Sequence, residues 1–498
     1  MKYLFFYDET EHSRKINYNT VSAVNYYDNF ITAVIGWNQK DEKTISEKYE
    51  AFEKKYEYRK KDGELKSLSL KQRDFKFGFA SLNKNTIGFY EDLLQMYDEK
   101  IIIYFSVFSK IEYVINQLLK NYNNSLLVDI DSMKYSIIKT ILVYRPKKVI
   151  EAIYKEPVEF VNELRLFFEE RIEKNKVNLP LKARENNIYG EILIILKEVD
   201  SIRSLEWSYF AAFEGFEKLL REMDIQDYTL VIDQEGEGRK TVKAAESVGI
   251  KNVSDGNSLD YIGIRMADMF VGLISRLMQS LKVSLTNDSA NEKVEKTLLD
   301  AKWFVLNDRQ LNLYKKLCKI ICVDNKYWYN TYTGIYSDDL ISFISLLHYM
   351  SHFKNAEEIQ KNNWSMLPER FNAFACEALQ RHFDIMNNKL SVEFVTNDVK
   401  DYFFNQCGAK VYKDVNLQPF LPIKEGKNQY RVLAVGLNAQ GNALVTIKEK
   451  EGTVCYRIPD DYREWTMAMI RLANSGIKFF PCEVIFSYIN GKYYVDVL

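Results

Sequence analysis

The chain opens with a run of large apolar side chains that stops abruptly at an acid. Residues Tyr3 to Tyr7 read Tyr-Leu-Phe-Phe-Tyr, and Asp8 follows directly. Such an unbroken run predicts a buried strand of an α/β domain. Residues 229–232 repeat the pattern and stop at Asp233. Because carboxylates at the ends of neighbouring strands can converge at one sheet edge, we expect Asp8 and Asp233 to lie close together; the alternative is that each merely starts a turn.

A third carboxylate, Asp268, lies inside a pattern that predicts an amphipathic helix over residues 259–281. A helix that buries this face brings Asp268 near the core, where an unpaired charge is costly. A metal ion would relieve that cost, and so would a salt bridge to an Arg or Lys. Hard cations such as Mg²⁺ bind carboxylate oxygens. Two such ions about 4 Å apart can activate water and stabilise the leaving oxygen of a phosphodiester.

Composition predicts a globular protein of several domains. The chain has 498 residues, of which 47% are hydrophobic and 28% charged, with only 8 prolines. Its net charge of −1 supplies no bulk attraction to nucleic acid, so such a partner needs a local basic surface. The six cysteines form no CxxC pair, and we see neither a signal peptide nor a membrane span. We therefore expect a reduced, cytoplasmic location.

The alternation of patterns predicts four regions. Strands and helices over residues 1–108 and 226–282 indicate one α/β domain, and its first part is predicted to contain a hairpin of strands 20–27 and 30–37. Helical periodicity predicts an insertion over residues 109–225 and a further helical region over 283–390. Residues 391–498 are predicted to form a small β-containing domain, in which Asn490-Gly491 suits a type I′ turn.

Four short motifs occur in a fixed order: Tyr7-Asp8-Glu9-Thr10, Gly63-Glu64-Leu65-Lys66, Val231-Ile232-Asp233, and Ser258 to Ala267-Asp268. Together they resemble the family known as domain of unknown function 3800, whose members look like ribonuclease H-like proteins. The resemblance covers residues 1–282. It implies a ribonuclease H-like mixed sheet in which Asp8, Glu64, Asp233 and Asp268 approach one another and bind Mg²⁺ or Mn²⁺. Two positions depart from the family: Thr10-Glu11 replaces Ser-Gly, and Arg265 replaces Gln.

Further charged residues are candidates for supporting roles. Lys66 is predicted either to contact a scissile phosphate or to be solvated, and Glu64 lies in a charged stretch whose default is a solvated surface. Glu9 and Glu235 are candidate auxiliary ligands. Residues 54–76 carry nine basic and four acidic side chains, which suits either a nucleic-acid backbone or a solvated helix and loop. The candidate nucleic-acid-binding residues are Lys60, Lys61, Lys71, Arg73, Arg239 and Lys240.

Two pairs of residues have helical metal-ligand spacing in the predicted helical region. His348 and His352 are four apart, but no Glu follows His348 as an HExxH site requires, so we expect helix packing. Cys318 and Cys322 share that spacing, and we expect them to be small buried residues.

The leading hypothesis is a Mg²⁺- or Mn²⁺-dependent nuclease, in which Asp8, Glu64, Asp233 and Asp268 hold two ions and Lys66 assists. By analogy with the family, we expect a role in bacterial defence against mobile elements. The alternatives are a non-catalytic ribonuclease H-like scaffold or binding subunit, and a toxin-like ribonuclease that needs a partner. Residues 285–498 are the expected surface for a protein partner. The sequence does not reveal whether the substrate is DNA or RNA, or how many chains assemble.

Overall fold

The computed structural model describes residues 2–10, 27–122, 129–200, 205, 209–234, 239–285, 297–325, 331–362, 366–386, 402–404, 410–412, 419–437, 442–449, 452–474 and 479–498. It has a mixed α/β architecture, which confirms the predicted class. Two compact units are present. The first comprises residues 1–217, 225–325 and 330–372, and the second comprises residues 218–224, 326–329 and 373–498. The sheet of the first unit, residues 109–217 and much of the predicted helical region therefore belong together.

The strands, in chain order, are β1 (Tyr3–Thr10), β2 (Asn29–Asn38), β3 (Lys76–Phe79), β4 (Ile102–Ser109), β5 (Tyr228–Asp233), β6 (Val253–Gly256), β7 (Thr331–Thr333), β8 (Tyr402–Phe404), β9 (Lys410–Tyr412), β10 (Gly426–Leu437), β11 (Ala443–Glu449), β12 (Gly452–Arg457), β13 (Cys482–Ile489) and β14 (Lys492–Val497).

The helices are α1 (Glu42–Lys55), α2 (Lys84–Leu94), α3 (Lys110–Leu118), α4 (Ile130–Tyr144), α5 (Lys147–Lys155), α6 (Phe160–Asn175), α7 (Leu179–Leu196), α8 (Phe210–Glu222), α9 (Lys240–Ser247), α10 (Ile262–Leu285), α11 (Asp308–Cys318), α12 (Asp338–Ser351), α13 (Ala356–Lys361), α14 (Leu367–Met386) and α15 (Arg463–Asn474). None of these helices is long and apolar enough to span a lipid bilayer.

A six-stranded sheet forms the centre of the first unit, with strand order β6-β5-β1-β2-β4-β7. Strand β2 is antiparallel to both neighbours, whereas β1, β4, β5, β6 and β7 all run in the same direction. The ends of β1 and β5 therefore lie at the same edge of the sheet. The short strand β7 was not predicted, because its three residues lie in a stretch with helical periodicity.

The predicted hairpin of strands 20–27 and 30–37 is wrong. Residues 31–38 of β2 pair with β1, and residues 29–36 pair with β4, so both edges of β2 are occupied. The positions 20–26 themselves lie outside the described residues. The strand that pairs with β2 in place of segment 20–27 is therefore β4, a long buried run that lies farther along the chain.

Helix α10 is the central helix of the first unit and covers β1 and β2. Met266, Ala267 and Phe270 have no exposed surface, and burial continues along almost the whole helix. Its amphipathic pattern is thus nearly apolar all round, as is typical of a helix packed inside a core. The described residues between β4 and β5 are helical, as predicted, with a core that includes Ile138, Leu164 and Phe168.

The second unit contains a five-stranded antiparallel sheet of order β12-β11-β10-β13-β14 and the helix α15. Its core includes Val432, Val445 and Phe486. Asn490 and Gly491 connect β13 to β14 with φ angles of 52° and 75°. Positive φ at both central residues is the signature of the type I′ turn, so that prediction is confirmed.

Candidate active site

The parallel pairing of β1 with β5 brings the first two carboxylates together. Its register matches Tyr7 with Ile232, so Asp8 and Asp233 are the next residues along two adjacent strands. Asp8 Oδ1 accepts a hydrogen bond from the backbone N–H of Glu9 (2.7 Å), and Asp233 Oδ1 accepts one from the N–H of Gln234 (3.0 Å). Each carboxylate is therefore oriented by the backbone N–H of the residue that follows it; β5 ends at Asp233, whereas β1 continues past Asp8 to Thr10.

Helix α10 supplies Asp268 from above this edge. Ser67 holds the carboxylate with two hydrogen bonds, from its backbone N–H to Oδ2 (2.7 Å) and from its hydroxyl to Oδ1 (2.5 Å). The close approach depends on Gly272, one turn further along the helix. A Cβ atom at Gly272 would lie 2.2 Å from Ser67 Cβ, a distance that no real structure tolerates. The glycine thus lets the Ser67 segment reach Asp268.

A tight turn presents Glu64 to the same region. Lys61 and Glu64 exchange two backbone hydrogen bonds around Asp62-Gly63, whose φ angles are 55° and 91°. The turn requires positive φ at both positions, and glycine at position 63 adopts that conformation without steric cost. Glu64 is buried, and its Oε1 lies 2.7 Å from Lys66 Nζ. Glu64 is therefore not the solvated surface residue that its charged surroundings favour.

These side chains line one cavity of about 110 Å³. It brings together the five main catalytic candidates of the sequence, Asp8, Glu64, Lys66, Asp233 and Asp268. The residues that line it are Asp8, Glu9, Glu64, Lys66, Leu68, Asp233, Ser258, Ile264, Arg265 and Asp268.

Acidic side chains dominate the electrostatics of the cavity. Burial raises the pKa of Asp8 well above its usual range, and the charges of Asp268 and Asp233 raise it further. Burial also raises the pKa of Asp233 and that of Asp268, and in both cases the charge of Glu64 adds to the effect. Lys66 is the counter-charge: its hydrogen bond to Glu64 raises the pKa of the lysine, which is therefore cationic at neutral pH. The cluster holds more negative charge than its own lysine balances.

The donor set fits hard divalent cations, since every candidate ligand atom is a carboxylate oxygen. In the described structure, no three of these carboxylates bring one oxygen each within 4.8 Å of one another. That spread is too wide for three ligands of one ion, whose Mg–O distances are about 2.1 Å. A two-ion arrangement, in which no ion needs three of these carboxylates at once, is compatible with this spread.

Arg265, one of the two departures from the family pattern, has a structural partner. Its Nε and Nη2 atoms lie 2.8 and 3.2 Å from the two carboxylate oxygens of Glu53 in α1, and both residues are buried. Its Nη1 donates to the carbonyl oxygens of Ser258 and Leu259. A bidentate pair of this kind fixes the guanidinium in place. Arg265 borders the cavity while its charge is balanced by Glu53. The other departure, Thr10-Glu11, has its second residue outside the described part.

The auxiliary acids have separate outcomes. Glu9 lines the cavity, but it is buried and its Oε2 accepts a hydrogen bond from the hydroxyl of Tyr7 (2.9 Å). Glu235 lies outside the described residues.

None of the six candidate nucleic-acid-binding residues lines the cavity. Gln72 binds the carbonyl oxygen of Arg276, so the neighbouring Lys71 and Arg73 lie roughly 12 Å along α10 from Asp268, at 1.5 Å per residue. Arg239 is nearer, because Asp255, its partner at 2.8 Å, pairs with Ile232 beside Asp233.

The remaining three basic candidates differ in their partners. Lys60 Nζ lies 3.7 Å from Glu53 Oε2, so its charge faces the buried Arg265 pair. Lys61 is exposed on the turn that presents Glu64, and Lys240 is exposed at the start of α9. Their role in binding nucleic acid stays a prediction.

Sequence reasoning missed the residues that orient the carboxylates. Ser67 lies 201 positions from Asp268, and Gly272 resembles any other helical glycine in the sequence. It also treated Cys318-Cys322 and His348-His352 as two separate pairs, whereas the structure brings Cys318, Cys322 and His348 together.

Comparison of the chain with known protein families, with curated proteins and with solved structures found no match. The resemblance to the domain of unknown function 3800 therefore depends on the four motifs alone.

Proposed function

We propose that this protein is a metal-dependent nuclease that hydrolyses phosphodiester bonds of DNA or RNA. One observation carries the proposal: Asp8, Glu64, Asp233 and Asp268 converge on one small cavity in which burial and mutual repulsion raise the pKa of three of them. Holding several carboxylates together destabilises a fold unless cations balance them. Carboxylates whose pKa is strongly raised by burial and by neighbouring charges are found above all at functional sites.

The sheet supports a ribonuclease H-like fold. Three antiparallel strands, β1, β2 and β4, are extended by the parallel strands β5 and β6, and the acids lie at the edge where β1 and β5 end. A mixed sheet of this kind agrees with the fold that the motifs imply, and a helix that packs across it supplies Asp268. The order of the motifs and the meeting of their acids are independent of each other, and both favour the same fold.

In the proposed reaction, the four acids, Glu64 among them, bind cations and Lys66 binds phosphate. Mg²⁺ or Mn²⁺, when bound, would supply an activated water and stabilise the charge on the leaving oxygen. Asp8 and Asp233 would hold the cations from the sheet edge, and Asp268 would hold them from the helix, with Ser67 fixing its orientation. Lys66 is part-exposed at the cavity and cationic, so it can bind a phosphate oxygen.

The cavity and its rim offer polar and apolar contacts to a nucleic acid. A volume of about 110 Å³ accommodates cations with their water and phosphate oxygens. Leu68 lines the cavity and is 63% exposed. Leu259, which follows the lining residue Ser258 in the sequence, is 55% exposed. Apolar contacts with sugar or base are therefore available at the rim.

The second candidate, a non-catalytic scaffold or binding subunit, is favoured by the ion pair of Lys66 with Glu64. A lysine 2.7 Å from Glu64 partly neutralises the site without a metal. The two candidates differ in one measurable property, because a scaffold needs neither divalent cations nor Asp233.

The test is cleavage of labelled single- and double-stranded DNA and RNA by the purified full-length protein, with Mg²⁺, with Mn²⁺ and with chelator. We expect Asp8→Asn and Asp233→Asn to lower the cleavage rate by roughly 10³-fold, because each loses several kcal/mol of cation-mediated stabilisation. The matched control is Asp74→Asn, an acid whose side chain is 44% exposed and pairs with Arg73 instead of lining the cavity. Chelator-resistant cleavage, or full activity of both site variants, would sink the proposal.

A further inference from the structure

A second cluster of ligating side chains lies apart from the acidic cavity. Cys318 is the last residue of α11, Cys322 lies in the π-helical turn Lys319–Asp324 that follows, and His348 lies in α12. One atom of each side chain lies within 4.8 Å of the others, and the distance from Cys318 Sγ to His348 Nδ1 is 3.9 Å. Both cysteines are buried, and the histidine is part-exposed.

The fold holds the three residues in place without a metal. Helix α11 packs on α12, which brings His348 over the end of α11. The wide π-helical turn is fixed to the central sheet by Asn325. Its side-chain oxygen accepts a hydrogen bond from the N–H of Ile103 at the start of β4 (2.9 Å), and its amide donates to the carbonyl of Ile320 (3.0 Å). π-Helical turns inside helices are often found at functional sites.

The chemistry of the three donors selects the ion. Two thiolates and an imidazole suit Zn²⁺, whereas Mg²⁺ and Mn²⁺ prefer the oxygen donors of the acidic cavity. We propose that Cys318, Cys322 and His348 bind a Zn²⁺ ion, with solvent at the fourth tetrahedral position beside the part-exposed histidine. The ion would join α11 and its π-helical turn to α12. This site is independent of the proposed nuclease site, since it shares no residue with it.

Packing alone is the competing explanation, because buried cysteines often behave as small apolar residues. A Cys318–Cys322 disulfide is another. Neither gives a reason for a ring nitrogen to lie beside both thiols. The hydrogen bond between Cys318 Sγ and His348 Nδ1 (3.9 Å) accounts for one of the contacts, and a shared ion accounts for all three.

The test is a Co²⁺ titration of the reduced, full-length protein, followed by displacement with Zn²⁺. Thiolate ligands give a sulfur-to-cobalt charge-transfer band, and tetrahedral Co²⁺ gives intense visible bands. We expect both to saturate at one equivalent and to disappear on addition of Zn²⁺. Cys318→Ser and His348→Asn should weaken binding by at least ~10²-fold, since removal of supporting groups alone costs that much at other metal sites.

Three variants serve as controls. Cys455→Ser removes a buried cysteine of the second unit, His352→Asn removes the other histidine of the helical pair, and Asp8→Asn disables the acidic cavity. All three should retain the charge-transfer band. Loss of binding in Asp8→Asn would place the ion in the acidic cavity and overturn the assignment, and loss in His352→Asn would overturn this ligand set.

The wild-type titration decides the matter even if a cysteine variant fails to fold. Absence of the charge-transfer band from fully reduced wild-type protein would overturn the proposal. So would a protein isolated with a Cys318–Cys322 disulfide that binds no Co²⁺ after reduction.

Discussion

Two acid-rich regions lie at the same end of the central sheet, and they differ in what balances their charge. The first is the acidic cavity described above. The second, here called the lysine network, consists of Asp28, Glu112, Lys282 and Asp339. Asp28 precedes β2, and the pairing of Asn29 with Ser109 places this network at the end of the sheet where β1 also finishes.

Every acid of the lysine network has a protein partner. Lys282 Nζ lies 2.8 Å from Asp339 Oδ1, and Asn29 donates to Asp339 Oδ2 at 2.6 Å. Glu112 accepts hydrogen bonds from the backbone N–H groups of Ile335 (2.7 Å) and Tyr336 (2.9 Å). Asp28 accepts from the hydroxyl of Ser109 and the N–H of Ile111.

The comparison teaches how to separate structural from functional acids. In the lysine network, specific hydrogen-bond donors and one lysine bind the carboxylates. We therefore interpret this network as a structural support of the fold. In the cavity, the charges of Asp268 and Asp233 raise the pKa of Asp8, and Glu64 forms a salt bridge with Lys66 whereas Asp8, Asp233 and Asp268 form none with the described residues. Acids that repel one another across an open cavity are better candidates for metal ligands than acids that each face their own donors.

The comparison breaks if removing charge destabilises both regions equally. We expect Lys282→Met to lower the free energy of unfolding by up to about 3–5 kcal/mol, because it leaves the part-buried Asp339 without its cation. Asp8→Asn should leave stability unchanged or raise it without metal, since it removes repulsion from Asp233 and Asp268. Urea unfolding measures both. A large loss in Asp8→Asn would assign Asp8 a structural role and contradict the contrast.

The lysine network also predicts a pH effect from Glu112. Burial raises the pKa of Glu112 to about 7 in spite of its two backbone hydrogen bonds. The native state therefore holds this proton more tightly than the unfolded chain. Its contribution to stability is fully present below the unfolded pKa near 4.5 and is lost as pH rises through about 7. The difference corresponds to roughly 3 kcal/mol, at about 1.4 kcal/mol per pKa unit.

Glu112→Gln should remove this slope between about pH 5 and pH 8 in urea unfolding. The absolute stability of the variant is not the readout, because a glutamine cannot accept from both backbone N–H groups. Glu47→Gln is the control, since Glu47 is exposed on α1. An unchanged slope in Glu112→Gln would mean that another group titrates.

Stabilisation by bound Mg²⁺ tests whether the acids of the cavity, in contrast to those of the lysine network, are metal ligands. Mg²⁺ at about a hundred times its dissociation constant should stabilise the wild-type protein by about 2.7 kcal/mol, because it binds the folded state alone. The stabilisation is measured as a rise in melting temperature on addition of Mg²⁺. Asp8→Asn should not show this rise, whereas Asp74→Asn should show it. Equal shifts in wild type and Asp8→Asn would place the bound Mg²⁺ elsewhere.

The parts of this contrast that the sequence predicts are the local ones. A buried strand is visible in the sequence as an apolar run, and β1 and β5 occur where these runs predict them. Asp233 ends β5 as predicted, whereas β1 continues past Asp8 to Thr10. The apolar surroundings of Asp268 likewise predict a helix that is buried on both sides of it, and Asp268 itself is part-buried. These features depend on residues within a few positions of each other, where periodicity carries the information.

The parts that the sequence did not reveal depend on long-range contacts. Arg265 pairs with Glu53 over 212 positions, and Lys282 pairs with Asp339 over 57. No periodicity encodes such pairs, so Arg265 was interpreted only as a departure from a motif. The hairpin error has the same origin: the partner of β2 is chosen by sheet order, and neighbouring strand-like segments do not reveal it.

The smallest expected effect tests the packing that positions Asp268. Gly272→Ala places a methyl group 2.2 Å from Ser67 Cβ, so the Ser67 segment must shift away from the helix. We expect a loss of about 1–3 kcal/mol from overpacking, and weaker Mg²⁺ binding because Ser67 no longer holds Asp268. The control is Gly190→Ala in α7, where no atom lies within 4 Å of the added Cβ and helix propensity favours alanine by roughly 1 kcal/mol. If both alanines stabilise the protein and Mg²⁺ affinity is unchanged, Ser67 does not orient Asp268, and the carboxylate must be held by the ions themselves.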